Sequence, residues 1–598
     1  MNPQRKAVER LTFDLVVAGG GLAGLCAALA AARHGVKTAL VQDRPVFGGN
    51  SSSEIRVVPY GSSHGSAWAN ETGIAHELIL EDRATNHEHF FDHGMVNSLY
   101  DLTLEEAARR EPNLTYFLNT SIRGVESEPL LSTDPAQRRI TAIYGSQLGS
   151  EKELAFYAPQ FIDATGDGTV GALAGALYRY GREARHEFHE PLAPLEADAA
   201  TLGSTITMRA RKLNRPVKYV PPPWIQVYTS LEEIGLDREL YHITRDIYGG
   251  YWWLEVNTPF HQIDDNQRIR EELHRHVLGV WNYIKNYSEY KEEAANYVLD
   301  WVGMIPGKRE SRRLVGDIIL TEHDCHTDRN WPDSVAYASW WIDLHIKGGI
   351  LNKQDPGERE NIDKHYKYWI RIAPFSLPLR SFYSRNIENL WMTGRLLSVT
   401  HVALGPTRVQ LTLAAQGQAV GTAAAYAVRQ QITPRQAASP EGEHIQIIRQ
   451  QLLRDDIHIL GLHNADPADL ARSAKAIATS EQLLDFGTPD EKRWVTLDMS
   501  RAQVVPLTHS TVEAVACYLK NERAEATILT AELQEMRRIW DREPGTTVCT
   551  HRVCIPAHFQ GWITIPFNAQ VTPYRPHRVV LHATPETSWA QGTRLPTG

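Results

Sequence analysis

The sequence predicts an α/β chain. It combines a parallel-sheet nucleotide-binding domain, an inserted α+β domain and a C-terminal β-sandwich. Three observations lead there: a strand, glycine turn, helix and strand near the amino end; a return to that pattern near residue 390; and alternating strands after about Arg493.

Each element follows from local pattern. Phe13 to Val17 is a short apolar strand, Leu22 to Arg33 an alanine-rich helix closed by His34-Gly35, and Val36 to Val41 a second buried strand. Between Thr115 and Ile162 alternation such as Arg139 to Tyr144 predicts a β-meander set into the same domain. From Tyr178 to Phe382 the chain is rich in tryptophan, tyrosine and histidine with mixed periodicity, which suggests a separate substrate-facing domain. Asn389 to Arg429 returns to a strand, a loop and a long small-residue helix starting near Pro406. Pro434 and Pro440 mark Ile432 to Glu443 as a linker, and a helical stretch is expected from Ile445 to about Leu484. Trp562 to Phe567 and Arg578 to His582 read as strands of the sandwich. The expected domains are 10–177 with 385–430, then 178–384, 431–492 and 493–598.

Bulk properties exclude several classes. The 598 residues are 42% hydrophobic and 22% charged, ordinary for globular domains. A net charge of −9 gives no basic footprint, so nucleic acid is not expected as a partner. No apolar stretch reaches the roughly 18 residues of a spanning helix, so no membrane partner is expected either. The start, Met1 to Asp14, lacks the apolar run of a signal peptide. The five cysteines, Cys26, Cys325, Cys517, Cys549 and Cys554, are too sparse for a disulfide scaffold and form no CxxC pair. A reduced, cytoplasmic protein is expected. His323, Asp324, Cys325 and His326 are metal-ligating types without metal-site spacing, and no metal is expected.

The first turn, Gly19 to Gly24, fits GxGxxG at Gly19, Gly21 and Gly24. The first glycine allows a tight turn, the second lets backbone approach a pyrophosphate, and the third lets helix pack on strand. The helix amino terminus then offers unpaired N–H groups to the phosphates. At the end of the second strand, where an acid binds ribose hydroxyls, stand Gln42 and then Asp43; either can bond a hydroxyl. A second glycine turn follows at once, Arg44 to Ser53, with Gly48, Gly49, Asn50 and Ser51. A flavoprotein uses such a turn to run backbone past the pyrophosphate and ribityl chain, so the expected cofactor is FAD and not NAD. Asp163 to Gly168, with Gly166 and Asp167, and Asn389 to Arg395, with Gly394 and Arg395, complete a four-part signature.

These segments resemble the FAD-dependent oxidoreductase family of the glutathione-reductase-like superfamily, in a branch with a GGN-Ser-Ser segment. The matches are Gly48 to Val57 (GGNSSSEIRV), Ile162 to Gly168 (IDATGDG), Pro306 to Gly316 (PGKRESRRLVG) and Gly394 to Gly421. The resemblance covers roughly residues 10–430. It implies a Rossmann-like FAD-binding domain and an inserted substrate domain, and it leaves the substrate open.

Oxidising a carbinol needs a hydride acceptor, a base for the hydroxyl proton and positive charge near the reduced ring. His401 is the first choice for the base, because imidazole titrates near neutrality. Asp343 and His345 would face the same way if Trp340 to His345 is a strand, and are the reserve pair. Arg56 and Arg380 are candidate substrate anchors. By family geometry Arg408, in the loop Gly405 to Arg408, would lie at the pyrimidine side of the flavin. Tyr248, Tyr251, Trp252 and Trp253 offer faces on which a sugar ring stacks. The run Lys308, Arg309, Arg312 and Arg313 reads as an ion-paired face before an anion site. The expected activity is oxidation of a hydroxylated small molecule such as a carbohydrate. The alternative is a lyase, hydrolase or epimerase using the flavin for transient oxidation. The carbohydrate reading rests on aromatic content, on a sandwich like those of carbohydrate modules, and on the family resemblance. No second GxGxxG is present for a nicotinamide cofactor.

Overall fold

In a computed structural model, the chain divides into two compact units, Met1–Ala468 and Asp469–Gly598. The structure describes residues 8–594 apart from 65–68, 87–95, 131–135, 236–253, 328, 353–361, 364–367, 370–371, 481–484, 486, 540 and 542–543. The aromatic cluster Tyr248, Tyr251, Trp252 and Trp253 lies outside the described residues.

The first unit is organised on a five-stranded parallel sheet. Its order is Leu390–Met392, Gln160–Asp163, Leu15–Ala18, Thr38–Val41 and Leu114–Phe117. Every residue of Leu15–Ala18 and Thr38–Val41 is buried, as a parallel sheet covered on both faces requires. The helix Leu22–Arg33 follows the first strand and is buried except at Arg33. Alanine suits it twice, by helix propensity and by bulk small enough for close packing.

A second helix, Gln410–Gln430, lies against the first. The approach is set by glycines: a Cβ on Gly417 would stand 2.0 Å from Ala23 O, and one on Gly421 would stand 2.1 Å from Ala27 O. The second helix starts later than its sequence suggests. His401–Thr407 is a separate short helix with Pro406 inside it, and the long helix begins only at Gln410. Pro406 disfavours helical backbone at the residue before it and removes one amide donor, yet it is accommodated in the last turn of the short helix. Arg408 and Val409 form the break.

The meander is a second sheet of order Glu9–Thr12, Lys152–Tyr157, Arg138–Gln147 and Thr120–Pro129. Residues 178–384 hold short sheets, Ser204–Thr205 between Glu255–Val256 and Gly307–Lys308, and Met208–Lys212 with Tyr297–Val302. The helix Asn266–Asn286 packs there in its own core with Trp281, Tyr228 and Leu254. Two expectations fail in this unit. The strand Ser334–Ala338 ends before Trp340, so Trp340 to His345 is irregular backbone. The helix after the prolines is Glu443–Arg454, and among the described residues only a single 3-10 turn, Leu470–Arg472, follows it before Leu484. Asp455 takes the C-cap position, and polar residues with Pro467 then offer no continuous apolar stripe.

The second unit is an antiparallel sandwich. One sheet orders Pro489–Thr496, Thr587–Gly592, Thr511–Asn521 and Gln560–Gln570; the other orders Arg501–Val505, His577–Leu581, Thr527–Glu535 and Thr546–Ile555. Inward residues of both sheets, among them Cys517, Leu519, Ile565, Leu529, Leu533 and Val579, share one core.

Candidate flavin site and its acid–base cluster

The glycine turns converge at the carboxyl ends of the parallel strands, around a cavity of about 550 Å³. Its walls include Gly19, Gly21, Gln42, Asp43, Arg44, Gly48, Gly49, Asn50, Gly166, Asp167, Gly394 and Arg395. Gly19 has φ 102°, and a Cβ there would lie 2.2 Å from Ala164 O. A Cβ on Gly24 would lie 1.8 Å from Gly19 O, so Gly24 serves the turn from outside the cavity. Gly21 differs: a Cβ there would meet no protein atom nearer than Gly49 Cα at 3.9 Å. What a side chain at Gly21 would fill is the cavity.

The polar walls are braced. The Gly20 amide donates to Gln42 Oε1 (2.8 Å), and Gln42 Nε2 donates to Val46 O (3.1 Å), so Gln42 ties the two glycine turns together while Asp43 faces the cavity. Asn50 Nδ2 donates to Lys308 O (2.8 Å). Lys308 Nζ and Ser311 Oγ donate to Asp167 at 2.6 and 2.8 Å. Burial pushes the Asp167 carboxyl up, but Lys308 and Arg395 outweigh it and hold it below the usual range. Ser51 is fully buried behind the turn, its hydroxyl without a hydrogen-bond partner.

Two guanidinium groups face this space. Nη1 of Arg44 and Nη1 of Arg395 are both buried without a hydrogen-bond partner. Burial, reinforced by Arg44, pulls Arg395 below its ordinary value against the pull of Asp167. Each guanidinium keeps one carboxylate neighbour, Glu54 at 3.8 Å from Arg44 Nη1 and Asp167 acting on Arg395, and each retains a buried donor to spare for a further anion. A bare cradle at Gly21 and two guanidinium groups with spare donors beside it fit the pyrophosphate of a dinucleotide.

Glu310 follows the wall residues Pro306 and Lys308 in the chain, and neither Glu310 nor His401 lines the cavity. Glu310 Oε2 meets His401 Nδ1 at 2.8 Å and accepts the Leu202 amide at 2.8 Å. The His401 amide donates to Glu183 Oε2 (2.9 Å), and Arg313 bridges Glu183 (2.9 Å) and Glu310 (3.0 Å). Burial favours the protonated Glu310, yet His401 and Arg313 prevail and keep it ionised.

A second buried group centres on His345. Its Nδ1 is 2.8 Å from Glu255 Oε2 and its Nε2 3.4 Å from Asp343 Oδ2. Arg408 Nη2 donates to Asp343 Oδ2 (2.5 Å) and lies 2.9 Å from His345 Nε2. Arg309 Nη1 reaches Glu255 at 3.1 Å. Burial lowers the His345 imidazolium, but Glu255 and Asp343 outweigh it and the net shift is upward. Burial likewise raises Asp343, and His345 with Arg408 more than reverses it. Trp340 and Trp341 stack at 3.9 Å beside this group, with Tyr60 and Val409 packed on them.

Asp343, His345 and Arg408 are thus brought together, although not by a strand. Arg380 is held elsewhere, by Asp333 through Nε (3.0 Å) and Nη2 (2.9 Å). The Arg56 guanidinium lies over the Trp301 ring at 4.7 Å. The basic run is ion-paired throughout its buried part, with Lys308 on Asp167, Arg309 on Glu255 and Arg313 on Glu183 and Glu310. In the His323 to His326 segment Asp324 closes a capping box with Thr321, and burial raises the Cys325 thiol. Sequence reasoning missed Glu310, Glu255 and Glu183, and also the wall residues Arg123, Asn266 and Gln410. Only Glu310 left a signal, as a lone carboxylate inside a basic run.

Fold and cavity define a dinucleotide-binding flavoprotein. A model of the FAD dependent oxidoreductase family matches residues 14–452. The chain belongs to that family, and its cofactor is FAD. A search of curated proteins finds no match. Among solved structures, L-proline dehydrogenase from P. horikoshii is 19% identical over 27% of this chain and 24% of its own, TM-score 0.17. The match thus spans about a quarter of that dehydrogenase. A geranylgeranyl bacteriochlorophyll reductase-like protein from Thermoplasma acidophilum is 12% identical over 75% of this chain and 86% of its own, TM-score 0.32. The p-nitrophenol 4-monooxygenase PnpA from Pseudomonas putida is 10% identical over 78% and 92%, TM-score 0.29. No helix among the described residues is long and apolar enough to cross a membrane.

Proposed function

We propose that this oxidoreductase oxidises a carbinol of a hydroxylated small molecule, a carbohydrate in the first instance, with His401 as the base. The Glu310–His401 pair carries the reading. FAD, when bound, supplies the acceptor for the hydride that leaves carbon. The proton that leaves oxygen needs a base. Glu310 accepts from Nδ1 of His401, which fixes the tautomer and leaves Nε2 to take the proton. Arg313 and Glu183 hold the pair in place from behind. Arg44 and Arg395, with the turns at Gly19 to Gly24 and Gly48 to Ser51, would bind the pyrophosphate, and Asp43 the ribose. Asp343, His345 and Arg408 would orient a hydroxylated substrate.

In this reading 10–177 and 385–430 form the cofactor domain, 178–384 the substrate domain, 431–492 a connecting segment and 493–598 the sandwich. Five free cysteines agree with a reducing, cytoplasmic location. The test is anaerobic mixing of the flavin-loaded protein with a panel of sugars and polyols. Bleaching of the flavin by one of them, and its retardation in His401→Ala, is the expected result. A panel without any bleaching would reject the substrate class. Turnover that proceeds with no external acceptor would point to the lyase, hydrolase or epimerase chemistry instead.

A further inference from the structure

One sheet of the C-terminal unit carries three aromatic side chains in a single row on its outer face. Registry sets the row. Trp494 pairs with Ala590, Tyr518 pairs with Trp562, and Leu519 pairs with Trp589, which places Ala590 beside Tyr518. Across the sheet the row therefore reads Trp494, Ala590, Tyr518, Trp562. Ala590 has no bulk, so the rings of Trp494 and Tyr518 close over it to 6.0 Å with planes 34° apart. Trp562 meets Tyr518 at 5.4 Å and 78°. The result is a tilted floor of two rings and an upright wall.

The core does not require this row. The alternate residues Cys517, Leu519 and Ile565 point inward and fill it, and Trp589, next to Ala590, packs against that core. Trp562 is 58% exposed. The floor is also locked. Trp494 Nε1 donates to the Glu491 carbonyl (2.8 Å) and the Tyr518 hydroxyl to the Glu491 carboxylate (3.0 Å). The polar tips are thereby engaged inside the protein and the ring faces are what the surface presents. Such fixed rings lose little freedom on binding.

The ligand must offer an apolar face to stack and a polar rim. Exposed Gln560 and Thr564 flank Trp562 on the same side of its strand, in reach of such a rim. A pyranose has that shape, with C–H groups on its faces and hydroxyls at its edge. Nucleobases stack equally well. A phosphate backbone finds no spare counter-charge here: Arg493 is ion-paired with Asp490 and Lys520 with Glu522, and the Glu491 carboxylate stands at the floor. A surface whose charges are balanced in this way suits a neutral chain. We propose that the Trp494–Tyr518–Trp562 row binds a neutral carbohydrate chain. The inference rests on this unit alone and is independent of the substrate at the flavin.

The test is native gel electrophoresis of the full-length, flavin-loaded protein through gels cast with soluble xylan, mixed-linkage β-glucan, galactomannan or amylose. Retardation by at least one glycan is expected. Trp562→Ala and Trp494→Ala should each weaken it by about ten-fold or more, as loss of a central aromatic contact does. FAD content and melting temperature should stay at wild-type values, because Trp562 is outside the core. Three outcomes would overturn the proposal: no retardation by any of the four glycans, equal retardation of both variants and wild type, or a dimer in sedimentation that Trp562→Ala dissociates, which would assign the row to a second copy of this chain.

Discussion

Glu310 holds Nδ1 of His401 at 2.8 Å from inside a run of four basic residues, Lys308, Arg309, Arg312 and Arg313. A carboxylate so surrounded stays ionised although buried, and a hydrogen bond to it decides which imidazole nitrogen carries the hydrogen. His401→Ala should keep its FAD and slow substrate reduction of the flavin by about 10²–10⁴, the usual contribution of a general base. Glu310→Gln keeps a hydrogen-bond acceptor and loses the charge. Its reductive step should be slower than wild type and shifted along the pH axis, whereas a merely structural Glu310 would leave the profile in place. Stopped-flow reduction across pH 5 to 9 makes the distinction.

The same carboxylate gives a stability signature. Its pKa is depressed in the fold, so its contribution is complete above the unfolded carboxylate value, about 4.3. It is lost as pH falls through the folded value. Melting temperatures of wild type and Glu310→Gln should therefore differ most near neutrality and converge in acid. A gap that widens in acid would contradict the assignment.

His345 should behave in the opposite sense. Its pKa is raised, net of burial, by Glu255 and Asp343. Its contribution is then full below about 6.5, the unfolded imidazole value, and fades as pH rises through the higher folded value. The melting-temperature gap between wild type and His345→Gln should narrow from pH 6 to pH 9. A constant gap would mean that the imidazolium is not what Glu255 and Asp343 hold.

Gly21→Val separates the cradle from the fold. Its side chain would meet cavity and almost no protein, so the flavin-stripped variant should melt like flavin-stripped wild type and bind no FAD. Gly24→Ala, whose Cβ would collide with Gly19 O, should lose both. Equal flavin content in Gly21→Val and wild type would remove the turn from the binding site.

Arg395→Met removes a buried cation. FAD affinity should fall by about 10- to 100-fold, the worth of a charge-assisted hydrogen bond or two. The melting temperature of the flavin-stripped protein should hold or rise, since a buried charge without a hydrogen-bond partner for Nη1 is gone. A large drop in that temperature would make Arg395 a structural partner of Asp167 and not a phosphate ligand.

How much the sequence disclosed depends on the range of each interaction. The Leu22–Arg33 helix is read to the residue, because alanine content and the flanking glycines act within one turn. Gly19 and Gly24 are legible for the same reason: backbone geometry near a glycine turn is set locally. Asp343 and His345 were legible as residue types but not as a strand pair. They meet because Arg408 and Glu255, distant in sequence, draw them into one charge cluster while the strand stops at Ala338. Glu255 and Glu183 left no local trace, since nothing near either announces the histidine or arginine it will face. The helix expected to Leu484 failed at Arg454, because Asp455 and Asp456 end it, the latter at φ 64°, and Gly461 and Pro467 disfavour its resumption.

The seam of Gly417 and Gly421 against Ala23 and Ala27 joins the two ends of a discontinuous domain. Half of the flavin cradle leaves the ribosome early, and the helix that must lie against it emerges about 400 residues later, some 20 to 80 seconds at ordinary rates of synthesis. During that interval the alanine face of the first helix has no partner. The nascent chain therefore carries an open apolar groove throughout that interval, and the two parts of the flavin domain can join only after Gln410–Gln430 has emerged.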